Sequence, residues 1–191
     1  MTPKTFVPPT RPQLHVYTGE GKGKTTACIG LALRALGAGM KVHFVQFDKG
    51  FDGQNEHYSE RHILRQLANL RLDPTGCERI QPDGHFRFGV TPEDRSEARR
   101  ALDLARGAIG QGQADLIILD EILSAQQYHL ISEQDVLELI AFWRQEPKCE
   151  LVLSGRTKLD SVLAQADLVT EMRKVKHYYD EGLLARRGID F

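Results

Sequence analysis

Nine residues constrain this chain more than any others: Thr18-Gly19-Glu20-Gly21-Lys22-Gly23-Lys24-Thr25-Thr26. The segment before them, from Gln13 to Tyr17, reads as a strand. The segment after them, from Lys24 to Leu36, reads as a helix, with Ile29, Leu33 and Leu36 at i, i+4 and i+7 on one face. Glycines let such a turn fold until its N–H groups converge on an anion. The helix N-terminus behind it adds about half a positive charge. The arrangement predicts a phosphate cradle in which Lys24 neutralises phosphate charge and the Thr25 hydroxyl is placed for Mg²⁺. The cradle is not standard. The pattern Gly-x-x-x-x-Gly-Lys-Thr needs a glycine where this chain has Thr18, and counted from Gly19 the loop is one residue short. A shortened cradle is expected to hold a triphosphate differently from a hydrolytic enzyme.

Beyond the loop, short apolar runs alternate with helix-period segments, the signature of an α/β protein with a mostly parallel sheet flanked by helices. Further strands are expected at Lys41–Phe47, Asp115–Asp120, Cys149–Leu153 and Leu168–Met172. Helices are expected over about Asn55–Asn69, with Ile63, Leu67 and Leu70 on one side, and after Thr91-Pro92-Glu93-Asp94, where a cap, a first-turn proline and acids coincide. That helix carries Ala98, Leu102, Ala105 and Ile109 on one face. Another starts at Ser132, with Val136, Ile140 and Trp143 in line, and a short one covers Leu159–Gln165. Between Asp73 and Val90, Pro74, Gly76, Pro82, Gly84 and Gly89 break any long element, so a functional loop with one short strand is expected there. Pro3, Pro8, Pro9 and Pro12 make residues 1–12 read as a flexible arm, which leaves 13–191 as a single domain.

Leu116-Ile117-Ile118-Leu119-Asp120-Glu121 is an apolar run ending in two carboxylates. A buried parallel strand reads this way, and its C-terminal end faces the crevice where ligands bind. Behind a phosphate loop, an acid in this position holds Mg²⁺. Thr25 and Glu121 are the leading magnesium candidates, with Asp120 in support. Glu121 is equally suited to act as a general base that activates water, as in a hydrolase.

Composition removes other classes. Lys plus Arg is 25 and Asp plus Glu is 26, for a net charge of −1, so nothing suggests a nucleic-acid partner held by bulk charge. No apolar run approaches the ~18 residues a membrane helix needs. Cys28, Cys77 and Cys149 form no Cys-x-x-Cys pair, which fits a reducing, cytoplasmic setting rather than a disulfide framework or a zinc site. His15 and His43 read as packing or edge residues of strands. Arg95, Arg99 and Arg100 read as a solvated helix face.

The shortened loop resembles that of the P-loop ATP:corrinoid adenosyltransferases, which usually have Asn where this chain has Glu20. Val45-Gln46-Phe47 with Lys49-Gly50, Leu119-Asp120-Glu121 and Ser154-Gly155-Arg156 match in order. So does the C-terminal run from Ala166 through Met172-Arg173 and Val175-Lys176-His177 to Gly188-Ile189-Asp190-Phe191. The resemblance implies a RecA-like P-loop NTPase fold, a homodimer and a flavoprotein electron donor. It implies transfer of the 5′-deoxyadenosyl group of ATP to a Co(I) corrinoid with release of triphosphate, in adenosylcobalamin biosynthesis or salvage. On this reading ATP lies along Gly19, Glu20, Gly21, Lys22, Gly23, Lys24, Thr25 and Thr26, with Arg34 and Arg156 as further contacts. Lys24, Thr25 and Glu121 serve the chemistry, while Thr25, Asp120 and Glu121 serve Mg²⁺. Aromatic residues beneath the corrin displace the lower cobalt ligand in this family, and the matching pair here is Phe86 and Phe88. Three departures stand out. Asp48 replaces an apolar residue, Lys174 replaces a proline, and Ser154-Gly155-Arg156-Thr157 replaces Thr-Gly-Arg-Gly.

Overall fold

A computed structural model describes residues 11–50, 56–79, 87–157 and 159–191. Its centre is one six-stranded sheet, built from β1 (Leu14–Thr18), β2 (Val42–Gln46), β3 (Leu70–Pro74), β4 (Leu116–Asp120), β5 (Glu150–Ser154) and β6 (Leu168–Glu171). The spatial order is β3-β2-β4-β5-β1-β6, and every pairing is parallel. Parallel strands need crossovers, and the crossover helices cover both faces of the sheet. Ile117 and Leu119 of β4 pack among Ala98, Ala105, Val136, Ile140 and Trp143, which come from α3 (Pro92–Gln111) and α5 (Glu133–Gln145). Leu116 and Ile118 point the other way, to Cys28, Ala32 and Ala35 of α1 (Lys24–Gly37). The alternation explains why β4 is apolar at successive positions: each face has its own cover.

The expected caps of the two long helices are present. The Thr91 hydroxyl accepts from the Asp94 N–H and the Asp94 carboxylate accepts from the Thr91 N–H, and Ser132 and Asp135 do the same at the start of α5. Such reciprocal pairs satisfy donors that the first helical turn leaves open, each worth about 1 kcal/mol. Trp143 is fully buried and donates its indole N–H to the Cys149 carbonyl at 2.8 Å.

Three expectations change. The face of α1 that meets the sheet is Cys28, Ala32 and Ala35, whereas Leu33 is 48% exposed. Small residues there let the helix lie close to the strands, and Ile29 and Leu36 only flank that contact. The long helix over Asn55–Asn69 is a five-residue α2, Glu60–Leu64. Ile63 is exposed, Asn69 has a φ of 62°, and Leu70 already belongs to β3, paired with Val42. Hydrogen bonding to the edge of β2 therefore ends the helical pattern before its apolar residues run out. A further helix, α4 (Ile122–Gln127), follows Glu121 directly. The expected short helix is α6 (Asp160–Leu163), and Tyr178–Glu181 form a 3₁₀ turn. The flexible arm falls mostly on residues 1–10, and Phe86 on 80–86, both outside the described residues. No helix among the described residues is long and apolar enough to cross a membrane.

Candidate active site

The C-terminal ends of β1, β4 and β5 meet at the phosphate loop. Thr18 is still a strand residue, in register with Glu171 of β6, so the loop proper begins at Gly19. That is the physical form of the missing residue. Gly19 has a φ of 100°, and a Cβ on it would stand 2.4 Å from the Met172 carbonyl oxygen. A Cβ on Gly21 would stand 2.7 Å from the same oxygen, to which the Gly21 N–H donates at 2.7 Å. The chain leaving β6 thus presses on the loop from one side, and only glycine leaves room for it. Gly23 caps α1, and Lys24 opens it. The Lys24 ammonium donates to the carbonyls of Gly19 at 2.7 Å and Gly21 at 3.0 Å. Burial pulls it below the ordinary lysine range, against the opposing pull of Glu121.

Asp120 ends β4 and is fully buried. Both its carboxylate oxygens accept from the Thr25 hydroxyl at 3.2 Å. One accepts from the Ser154 hydroxyl at 2.6 Å, the other from the Lys49 ammonium at 2.8 Å. Lys49 also donates to the Thr25 oxygen at 2.9 Å. Burial works against the Lys49 charge, but the carboxylates of Asp120 and Glu121 outweigh it and hold the ammonium above the ordinary lysine range. Lys49 and Ser154 were not among the expected site residues. Each stands just beyond or at the end of a strand beside β4, and each lies in a segment that carried the family resemblance. Side-chain convergence on Asp120 is a property of strand order, because Gln46 of β2 lies in register with Asp120.

Glu121 sits at a φ of 63° and donates its N–H to the Ser154 hydroxyl at 3.0 Å. This left-handed residue turns the chain sharply from β4 into α4. It shares a cavity of about 630 Å³ with Glu20, Gly21, Lys22, Gly23, Lys24, Thr25 and Thr26. Arg156 lines the same cavity and pairs with Glu20 at 3.5 Å. Arg34 does not join them: it is exposed in the last turn of α1, ten residues from Lys24, or ~15 Å along the helix. The far wall is the C-terminal segment. Lys22 donates to the Ile189 carbonyl at 2.7 Å and the Tyr178 hydroxyl at 2.9 Å, and pairs with Asp190. Tyr178 also bonds Asp190. The loop is thereby closed in by residues 150 or more positions away in the sequence.

A second cavity, of about 410 Å³, is lined by Asp48, Arg79, Phe88, Val90, Tyr128 and His129. Tyr128 lines both cavities, so the two adjoin. Phe88 is 86% exposed on this side.

Comparison with known proteins decides the family. The model of the ATP:corrinoid adenosyltransferase BtuR/CobO/CobP family matches residues 10–191. This chain belongs to that family. It is 33% identical over 179 residues to the corrinoid adenosyltransferase of Escherichia coli K12, an alignment covering 92% of this chain and 84% of the relative. It is also 33% identical over 182 residues to the corrinoid adenosyltransferase CobA of Salmonella typhimurium, with the same coverage. For the Pseudomonas aeruginosa corrinoid adenosyltransferase the identity is 30% over 181 residues, covering 93% and 83%. The α/β sheet, with all its strands parallel, agrees with a P-loop adenosyltransferase.

Proposed function

We propose that the chain transfers the 5′-deoxyadenosyl group of ATP to the Co(I) centre of a corrinoid and releases triphosphate. The observation that carries this reading is the adjacency of the phosphate-loop cavity to a second, partly aromatic cavity through Tyr128, in a chain of this family. Co(I) is a strong nucleophile. A cobalt–carbon bond forms at C5′, the C5′–oxygen bond breaks, and its electron pair leaves with the triphosphate. No water needs activating. The protein must instead stabilise charge that grows on the leaving oxygens, which preorganised donors do best. The Lys24 ammonium and the loop N–H groups at the head of α1 are those donors, with Arg156 at the rim.

The residues present suit Mg²⁺. Its ligands are oxygens, and the Thr25 hydroxyl and Glu121 carboxylate both line the phosphate cavity. Asp120 already satisfies Thr25, Lys49 and Ser154, so it fits a supporting place behind Thr25. When bound there, Mg²⁺ neutralises charge on the triphosphate. Phe88, with Phe86 before it, is assigned to the corrinoid face. A homodimer, a flavoprotein electron donor and a cytoplasmic setting complete the proposal by family analogy.

The test is an anaerobic assay with Mg-ATP and chemically reduced cob(I)alamin, following the Co(I) absorbance and identifying products by mass spectrometry. Adenosylcobalamin with intact triphosphate is the expected result. ADP and phosphate with cob(I)alamin untouched would restore a hydrolytic reading with Glu121 as base, which the family match disfavours.

A further inference from the structure

Phe88 is presented to solvent, yet the backbone on either side of it is pinned. Arg79 does both. Its carbonyl accepts from the Arg87 N–H at 2.7 Å, and its guanidinium donates to the Gly89 carbonyl at 2.9 Å. The remaining donors of that guanidinium close on Asp48: Nε at 3.0 Å and Nη2 at 2.8 Å to one carboxylate oxygen, and Nη2 at 3.1 Å to the other. Asp48 stands two residues beyond the end of β2 with a φ of 48°, a left-handed conformation uncommon outside glycine, asparagine and aspartate. Arg87, next to Phe88, is held as well, by two bonds at 2.9 and 2.7 Å to Asp94, the acid of the α3 capping box. Arg79 approaches the same carboxylate at 3.9 Å. Two acids and two guanidinium groups thus form a neutral set that ties the Phe88 segment to β2 on one side and to the start of α3 on the other. Asp48 and Arg79 are both largely buried, at 15% and 11% side-chain exposure, so water competes little for their bonds.

We propose that Asp48 is a positioning residue: through Arg79 it holds the Phe88 backbone in place, so that the exposed ring meets the corrinoid without having to be ordered first. Rigid backbone under an exposed aromatic ring reduces the entropy lost on binding. Asp48 lines the second cavity as well, but the role assigned here acts through Arg79. This role rests on the assignment of Phe88 to the corrinoid. It is distinct from that assignment, because the latch is formed by this chain's own residues without a corrinoid.

The experiment compares Asp48→Leu, Asp48→Asn, Arg79→Lys and Phe88→Ala in the full chain. The first readout is hydrogen–deuterium exchange in a peptide spanning 87–90, without corrinoid. Asp48→Leu and Arg79→Lys are expected to raise exchange there by about tenfold, the effect of losing one charge-assisted pair, while Asp48→Asn, which keeps an acceptor, falls between. The second readout is a ratio: the rate of adenosylation from Co(II) corrinoid with ATP and a reduced free flavin, divided by the rate from pre-formed Co(I). That ratio is expected to fall in Asp48→Leu in the same direction as in Phe88→Ala. Unchanged exchange in Asp48→Leu overturns the latch. Raised exchange with an unchanged ratio, while Phe88→Ala lowers it, overturns the positioning role. If Phe88→Ala leaves the ratio unchanged, the Phe88 assignment is wrong and the positioning role falls with it, although the exchange data still report whether the latch exists.

Discussion

Replacing Lys49 by Met separates the electrostatics of this site from its catalysis. Lys49 is 11% exposed in its side chain and pairs at 2.8 Å with Asp120, which is wholly buried. Removing the ammonium strands a buried carboxylate. Breaking a buried pair from one side costs about 3–5 kcal/mol. Two hydroxyl donors, from Thr25 and Ser154, still reach Asp120, which places the loss near the lower end, about 3 kcal/mol. For a chain of this length about 1 kcal/mol shifts Tm by about 2–4 °C, so Lys49→Met should melt roughly 6–12 °C lower. The second variant is Lys49→Met with Asp120→Asn. It removes both charges while keeping an acceptor for Thr25, and should recover more than half of the loss, because the damage lies in the imbalance rather than in the missing pair. Thermal unfolding followed by circular dichroism, without nucleotide, measures both. A Lys49→Met protein within about 2 °C of the parent would refute the burial argument, as a drop of that size is worth less than about 1 kcal/mol. A double variant no more stable than the single one would refute the charge-balance argument.

Lys24→Ala should lower adenosyl transfer by well over about tenfold, since it removes a contact to charge growing in the transition state; single-turnover rates with cob(I)alamin check this. Gly19→Ala should abolish tight ATP binding or destabilise the fold, because its Cβ would stand 2.4 Å from the Met172 carbonyl oxygen; calorimetry with Mg-ATP decides. Thr91→Ala should cost about 1 kcal/mol by opening the α3 capping box, with transfer per folded molecule retained. His43 titrates with a stated sign. Burial, working against the neighbouring Asp73, holds its imidazole below the ordinary histidine range. The unfolded chain therefore binds the proton more readily, and stability should decline as pH falls through about 6.5. His43→Gln should flatten that part of the Tm–pH profile.

Much of the site was legible because its chemistry is local. A strand, a glycine-rich turn, Lys24-Thr25 and a helix lie within one stretch, and each part is recognisable without its neighbours. The acids at the end of β4 are likewise marked by the apolar run before them. Capping at Thr91 and Ser132 could be read for the same reason, since the reciprocal bonds join residues three apart. What escaped was set by distance along the chain. Lys49 and Ser154 reach Asp120 only because β2 and β5 flank β4, and no periodicity encodes that order. Periodicity points to the wrong face of α1, because hydrophobicity ranks Leu33 above Ala32, whereas close packing against a sheet ranks size first. The helical pattern over Asn55–Asn69 overruns the helix because Leu67 and Leu70 satisfy a helical period and equally serve the approach to an edge strand.

Asp48 depends on distance along the chain in the same way. Read alone, an acid just beyond a strand is an ordinary loop residue. Its partner, Arg79, lies 31 positions on, and the peptide both of them hold is another ten beyond. A carboxylate in a largely buried place is costly unless a matching cation accompanies it. Arg79 supplies that cation, and its spare donor goes to Gly89 rather than to water. Asp48 is therefore half of a pair. The pair predicts that Asp48→Leu alone is destabilising, whereas Asp48→Leu combined with Arg79→Leu recovers stability but not the hold on residues 87–90. From the single to the double variant, thermal unfolding would then recover while exchange at that peptide stayed raised, a separation that a purely structural ion pair would not produce.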